Sequence, residues 1–248
     1  MTRQVTRREF VATAAAISSA ALWPGAADAA PASPRSSSPL TVLFQGDSIT
    51  DAGRNRGNAQ PNVAGALGTG YPLLIAAAEL ASHPERDLRF FNRGVSGDKV
   101  PDLQARWTGD ALDLKPDVLS VLVGVNDFWH KLLRGYTGTI QDYEDQYTAL
   151  LQQTRQALPS VRLVVLEPFV LRTGAVDEHW FPEFDQRRAA AARVARRAGA
   201  AFIPLQNAFD RAAARSSPQH WAADGVHPTP AGHQMIADLW RRVVKLGS

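Results

Sequence analysis

Thr41-Val42-Leu43-Phe44-Gln45-Gly46-Asp47-Ser48-Ile49-Thr50 is an apolar run that stops on glycine and two polar residues. Thr41 to Phe44 has the branched and aromatic composition of a buried strand. Ser48 then stands where the strand ends and a turn or helix begins. A hydroxyl there is exposed at the sheet edge, near helix-terminal N–H donors. The same layout recurs downstream. Leu88 to Phe91 is followed by Asn92-Arg93-Gly94, and Val118 to Val123 by Gly124-Val125-Asn126-Asp127. Val161 to Leu166 and Ala201 to Ile203 complete five strand candidates. Helical periods separate them: Ile140, Tyr143, Tyr147, Leu150 and Leu151 recur at spacings of three and four, as do Met235, Ile236, Leu239, Trp240, Val243 and Val244. The last helix has Thr229 as N-cap, Pro230 at its first position and Gly247 beyond its end. Strand, helix, strand repeated in this way argues for an α/β fold with a parallel sheet covered on both faces. Such sheets bind ligands at the carboxyl ends of their strands, where this sequence keeps its polar residues.

The chain has 248 residues, 45% of them hydrophobic and 21% charged, which suffices for one core and excludes a disordered protein. It has no Cys, so disulfide scaffolds, thiolate metal sites and a cysteine nucleophile are excluded. The net charge of +3 is too small to suggest nucleic-acid binding. Residues 1–29 read as a twin-arginine-type signal peptide: Arg7 and Arg8 precede an apolar run from Phe10 to Trp23, and Ala27-Asp28-Ala29 has the form of a cleavage site. That run is too short to span a bilayer. Residues 30–39, rich in Pro and Ser, read as a flexible linker, and residues 40–248 as the folded domain. The expectation is an exported, secreted protein without a membrane span.

Acyl transfer needs a nucleophile, a general base within hydrogen-bond reach, a third group to fix the base's tautomer, and donors aimed at the developing oxyanion. Ser48 fits the first role. His227 follows Asp224 by three residues on a loop rich in Gly and Pro, so one tight turn can carry both imidazole and carboxylate. Asn126 and the N–H of Gly94 come from neighbouring strand ends, and either could serve an oxyanion. One Asp and one His are too few for a metal site, so neither a metal nor any other cofactor is expected.

Gly46-Asp47-Ser48-Ile49-Thr50, Gly94, Gly124-x-Asn126-Asp127 and Asp224-x-x-His227-Pro228 together resemble the four signature blocks of the SGNH (GDSL-type) hydrolases. The resemblance implies a flavodoxin-like three-layer α/β/α sandwich with a five-stranded parallel sheet. It implies Ser48 as nucleophile, His227 as general base and Asp224 as its orienting partner, with Ser48 N–H, Gly94 N–H and the Asn126 side chain as oxyanion hole. The extended runs Asp51-Ala52-Gly53-Arg54, Gly70-Tyr71, Asn92 to Gly97 and Gly124 to Trp129 are similar to a bacterial branch that includes acetylxylan esterases acting on xylo-oligosaccharides. The expected partner is therefore a small acylated substrate, an acetylated oligosaccharide; the oligomeric state is left open.

Among the other residues, Asp47 and Asp127 read as loop-fixing hydrogen-bond acceptors, with Asp47, Arg54, Tyr71, Trp129 and Trp221 also substrate-binding candidates. Arg54 could meet a substrate oxygen or an internal carboxylate. Ser96 reads as a turn residue and His233 as a surface position. His83, His130, His179 and His220 have no assigned role. Arg187, Arg188, Arg193, Arg196 and Arg197 read as the solvated face of an alanine-rich helix. The competing readings are a lipase or thioesterase, which would want a longer apolar insertion than this chain has, an acetyltransferase, and a non-catalytic carbohydrate-binding module. A nucleotide-binding flavodoxin-like protein is disfavoured because no phosphate-cradling loop follows the first strand.

Overall fold

The structure, a computed structural model, describes residues 38–246. The leader, most of the linker and Gly247 lie outside them. The elements in order are β1 (Leu40–Gly46), α1 (Ser48–Asp51), α2 (Ala64–Leu67), α3 (Tyr71–Ser82), β2 (Leu88–Asn92), α4 (Val100–Trp107), β3 (Val118–Leu122), α5 (Val125–Arg134), α6 (Ile140–Ala157), β4 (Arg162–Leu166), α7 (Glu183–Arg197), β5 (Ala201–Ile203), α8 (Gln206–Ala213), α9 (Pro218–Trp221) and α10 (Pro230–Val243). All five strand candidates form one parallel sheet in the order β2-β1-β3-β4-β5. No helix among the described residues is long and apolar enough to cross a membrane.

Side-chain alternation divides the core into two layers. Val42, Phe44, Val118, Leu122, Val164 and Leu166 face α3, α8 and α10. Leu43, Leu119, Val121, Leu163 and Val165 face α4, α6 and α7. On the first face, Trp240 of α10 is fully buried, tilted against Phe44 with ring centroids 5.7 Å apart, and donates its indole N–H to Ser120 Oγ of β3 at 2.7 Å. Truncating such an anchor to alanine costs about 3–5 kcal/mol. The start of α10 follows the sequence: the Thr229 hydroxyl accepts from Gly232 N–H, and Pro230 needs no donor in the first turn.

Two sequence expectations are corrected here. Arg187 is not solvated: its side chain is fully buried, 5.2 Å over the Tyr143 ring, and donates to Glu183 Oε1. It falls on the buried stripe Phe184, Arg187, Ala190, Ala191, Val194 of α7, so the helix's rotation carries it inward. Arg188 and Arg193 pair with Glu167 and Glu144. His233 is on α10 as expected, but it is buried. Its Nδ1 accepts from Tyr71 N–H at 3.2 Å, and burial pushes the imidazole down to about 4.

β1 neighbours β2 on one side and β3 on the other, so the chain's path reverses beside β1. A crevice opens at such a point beyond the carboxyl ends of the strands. Ser48, after β1, and Asn126, after β3, both sit there.

Candidate active site

Asp47 caps α1: its Oδ1 accepts from Ile49 N–H at 3.0 Å, which fixes the turn and leaves Ser48 at the first helical position. From the far end of the chain, the loop between α9 and α10 brings in His227. Ser48 Oγ lies 2.8 Å from His227 Nε2, and His227 Nδ1 lies 2.6 Å from Asp224 Oδ2. Asp224 Oδ1 accepts the N–H groups of Val226 and His227 at 2.9 and 2.7 Å, so the carboxylate organises the turn that presents the ring. Burial raises the Asp224 carboxyl, but the bonds from the His227 ring and from both backbone N–H groups outweigh it and hold the carboxyl below its usual range. It is therefore ionised at neutral pH, and Nδ1 carries the proton. Nε2 is then free to take a proton from the Ser48 hydroxyl.

Of the groups expected at an oxyanion hole, Ser48 and Asn126 reach the cleft and Gly94 does not. Gly94 N–H donates to the side chain of Asn92 at 2.9 Å, and Gly94 is buried off the cleft wall. A Cβ on Gly94 would stand 2.4 Å from Asp51 N, so this glycine serves the close packing of the β2 loop on α1. The residue on the cleft is Gly97, with φ +91°. It joins Ser48 and Asn126 on the wall of one cavity of about 310 Å³. Among the described residues, neither Ser48 N–H nor Gly97 N–H has a hydrogen-bond acceptor within the protein. Asn126 Nδ2 uses one hydrogen on the Asp98 carbonyl at 3.1 Å and keeps the other. Gly97, which the sequence reading did not single out, is thus the glycine of this turn that lies on the cleft. The Asx turn from Asn92 to Gly94, an Asn side chain accepting from the N–H two residues on, was the available signal.

A clamp holds the Ser96–Gly97 turn. Asp51, at the end of α1, accepts both Ser96 N–H at 2.9 Å and Ser96 Oγ–H at 2.8 Å, and pairs with Arg56. Burial would raise its carboxyl, but Arg56 and Ser96 hold it below the ordinary range. Ser96 is accordingly a turn residue.

Of the five substrate-binding candidates, Asp47, Arg54, Tyr71 and Trp221 do not line this cavity. Asp47 is 1% exposed and spends itself on the cap; burial, with Asp127 and Asp98 nearby, pushes its carboxyl up to about 7. Tyr71 is fully buried, its hydroxyl on Thr50 Oγ1 at 2.9 Å, so no atom of it reaches the cleft. Arg54 is buried, and among the described residues its guanidinium pairs with no carboxylate; its Nε donates to the Gly94 carbonyl at 2.8 Å. Trp221 donates to Ser216 Oγ and lines a separate groove with Met235 and Leu239. Trp129 does line the cleft, its ring centroid 5.9 Å from that of His227. His130, which had no role, lines it too. Asp127 fixes a loop, accepting from Val100 N–H at 3.2 Å. Burial raises its carboxyl to about 6, against the pull of Arg187. No group of three His, Cys, Asp or Glu side chains that could hold a metal occurs among the described residues.

Comparison with known proteins places this geometry. The model of the GDSL-like lipase/acylhydrolase family matches residues 44–235. The chain is 34% identical over 205 residues to an acetylxylan esterase from Geobacillus stearothermophilus, covering 82% of this chain and 93% of that protein. A solved structure from Parabacteroides merdae, provisionally described as a GDSL-like lipase, superposes with a TM-score of 0.81 at 42% identity, covering 82% of this chain and 94% of the other. The acetylxylan esterase Axe2 from Geobacillus stearothermophilus superposes at 0.74 with 32% identity, covering 84% and 94%. Two Axe2 structures are of catalytic mutants, one altered at a histidine and one at a serine.

Proposed function

This chain belongs to the GDSL-like lipase/acylhydrolase family and is a carboxylic ester hydrolase; we propose that Ser48, His227 and Asp224 carry its chemistry and that it removes acetyl groups from xylan-type oligosaccharides. The observation that carries the assignment is the continuous chain of hydrogen bonds from Ser48 Oγ through the imidazole to Asp224.

In this reading the imidazole takes the Ser48 proton as Oγ attacks the ester carbonyl. The carbonyl oxygen gains charge and is met by Ser48 N–H, Gly97 N–H and the free hydrogen of Asn126 Nδ2, fixed in place before the reaction. The imidazolium then protonates the departing sugar oxygen, leaving an acetyl-enzyme. Water repeats the sequence: His227 takes its proton, acetate departs, and Ser48 regains its hydrogen. The small cavity over Ser48 supports a short acyl group. The similarity to acetylxylan esterases supports a sugar on the alcohol side. Export before action is part of the same proposal, supported by Arg7-Arg8, the apolar run and Ala27-Asp28-Ala29.

The test is acetate release from acetylated xylo-oligosaccharides and from 4-nitrophenyl acetate by wild type and Ser48→Ala. Loss of roughly 10⁴-fold or more in rate with unchanged thermal unfolding is expected. Retained activity would exclude Ser48 as nucleophile. A preference for long-chain nitrophenyl esters would instead favour the lipase reading.

A further inference from the structure

The cavity over Ser48 does not end at the oxyanion turn. A second cavity of about 450 Å³ lies beyond it, and the two share Ser96, Gly97, His130 and Arg134 on their walls. The two are chemically unlike. Trp129 and Leu133 make the first apolar on one side. The second is polar, and its far wall is Lys99, Asp102 and Tyr136.

The charges there do not cancel. Asp102 Oδ2 accepts both the Lys99 ammonium at 2.5 Å and Lys99 N–H at 2.9 Å. Asp98 accepts Arg106 Nε at 2.8 Å from behind the wall. Both carboxylates of the cavity are therefore neutralised by their own cations. Lys131, the other cation in the last turn of α5, is taken by Glu183 at 2.7 Å. Arg134 remains: it is exposed, it makes no ion pair among the described residues, and it is on the wall of both cavities. His130 sits between these cations. Burial, Arg134 and Lys99 all push its imidazole below its usual value, so it stays neutral and keeps one ring N–H to donate. Lys99 Nζ lies 5.2 Å from the centroid of the Tyr136 ring, which closes the far end with a half-buried aromatic.

We infer that this second cavity is an alcohol-side subsite for a sugar bearing a carboxylate, so that the acetyl esters the enzyme takes best are those of uronic-acid-containing oligosaccharides. The inference rests on the function proposed above. An ester bonded at Ser48 directs its acyl group and its alcohol to opposite sides of the reacting carbon. With the acetyl methyl against Trp129 and Leu133, the sugar crosses Ser96–Gly97 into the polar cavity. A planar guanidinium there binds a carboxylate through two parallel N–H···O bonds, and His130 N–H can add a third.

The test compares two acetylated methyl glycosides that differ only in C6: the glucuronide, with a carboxylate, and the glucoside, with a hydroxymethyl. Wild type should show a kcat/KM about tenfold higher for the acetylated glucuronide at low salt, mostly through KM. That ratio should shrink at 0.5 M NaCl and collapse toward one in Arg134→Gln. A ratio at or below one for wild type, or a ratio that Arg134→Gln leaves intact, would overturn the inference. So would hydrolysis of 4-nitrophenyl acetate through Ser48 without cleavage of either glycoside. In each of these cases Ser48-dependent ester hydrolysis leaves the underlying reading standing. Only the absence of all ester hydrolysis removes both.

Discussion

The wall of the cleft that carries Ser48 is cross-linked and buried, whereas the wall that carries His227 is a half-exposed loop. On the first, Asp47, Asp51, Arg54 and Asn92 are each less than a tenth exposed, and their hydrogen bonds join α1, the Gly94–Gly97 turn and the α2 loop into one block. On the second, the side chains of Asp224 and His227 are 42% and 43% exposed. The difference follows the two tasks. Donors that stabilise a developing negative charge work only if they need not reorganise, so they are locked by neighbours. A base that receives protons from serine and water and returns one to a departing alcohol must stay in reach of solvent. Changes to the exposed wall should therefore lower activity without unfolding the protein, and changes to the buried wall should do both.

The largest effect should come from the exposed wall. Asp224→Asn loses the charge that fixes the imidazole's tautomer, and kcat should drop roughly 10²–10⁴-fold. Thermal unfolding should move little, because Asn can still accept the Val226 and His227 N–H bonds. A large fall in melting temperature would show that the two walls are not built differently after all.

The two glycines of the buried wall sharpen the contrast. Gly94→Ala puts a Cβ against Asp51 N and should cost about 3 kcal/mol or more of stability. Gly97→Ala meets nothing closer than His130 Cε1 at 3.9 Å but holds φ at +91°. It should cost about 1–2 kcal/mol of stability and lower kcat roughly 10–100-fold by shifting the oxyanion N–H. Denaturant titration and steady-state rates on both variants separate the outcomes. Equal rate losses from equally folded proteins would return the oxyanion role to Gly94.

The buried side also carries a pH dependence, which touches stability and leaves the chemistry at neutral pH alone. His233 titrates at about 4 in the folded chain against an ordinary 6.5. Between those values the unfolded chain binds the proton and the folded one does not. The stabilising contribution is thus full above pH 6.5 and is lost as pH falls toward 4, by about 3 kcal/mol. His233→Gln should flatten that fall when unfolding is followed at pH 7 and pH 4. A wild-type profile parallel to the variant's would show that His233 protonates freely in the folded state.

The strands were legible because each is a short apolar run closed by Gly, Asn or Pro within two residues, and the sheet order puts those ends on one rim. The hydrogen-bonded set of Ser48, His227 and Asp224 was legible for a different reason: Asp224 and His227 are close in sequence, and Ser48 closely follows a strand. What escaped reading depends on direction rather than on residue type. Asn92-Arg93-Gly94-Val95-Ser96-Gly97 offers two glycines, and only backbone angles and the claim of Asn92 on one N–H tell them apart. Tyr71 sits beside the loop glycine Gly70, yet it opens α3 and turns inward onto Thr50. Arg187 carries a charge that suggests solvent, although its spacing to Phe184, Ala190 and Val194 places it on the apolar stripe. His130 shares α5 with Asn126 and Trp129 and reaches the cleft because four residues are one helical turn.

Ser48 and His227 stand 179 residues apart in the chain, and α10, directly after His227, closes the face of the sheet on which β1 lies. Until Trp240 reaches Phe44 and Ser120, the centre of that face is uncovered. With Ser48 and His227 in the roles proposed, completing the core and assembling the reacting pair become one event in folding. A chain cut short of α10 would keep Ser48 and His227 but lose Trp240, the anchor that joins α10 to Phe44 and Ser120 at the centre of that face.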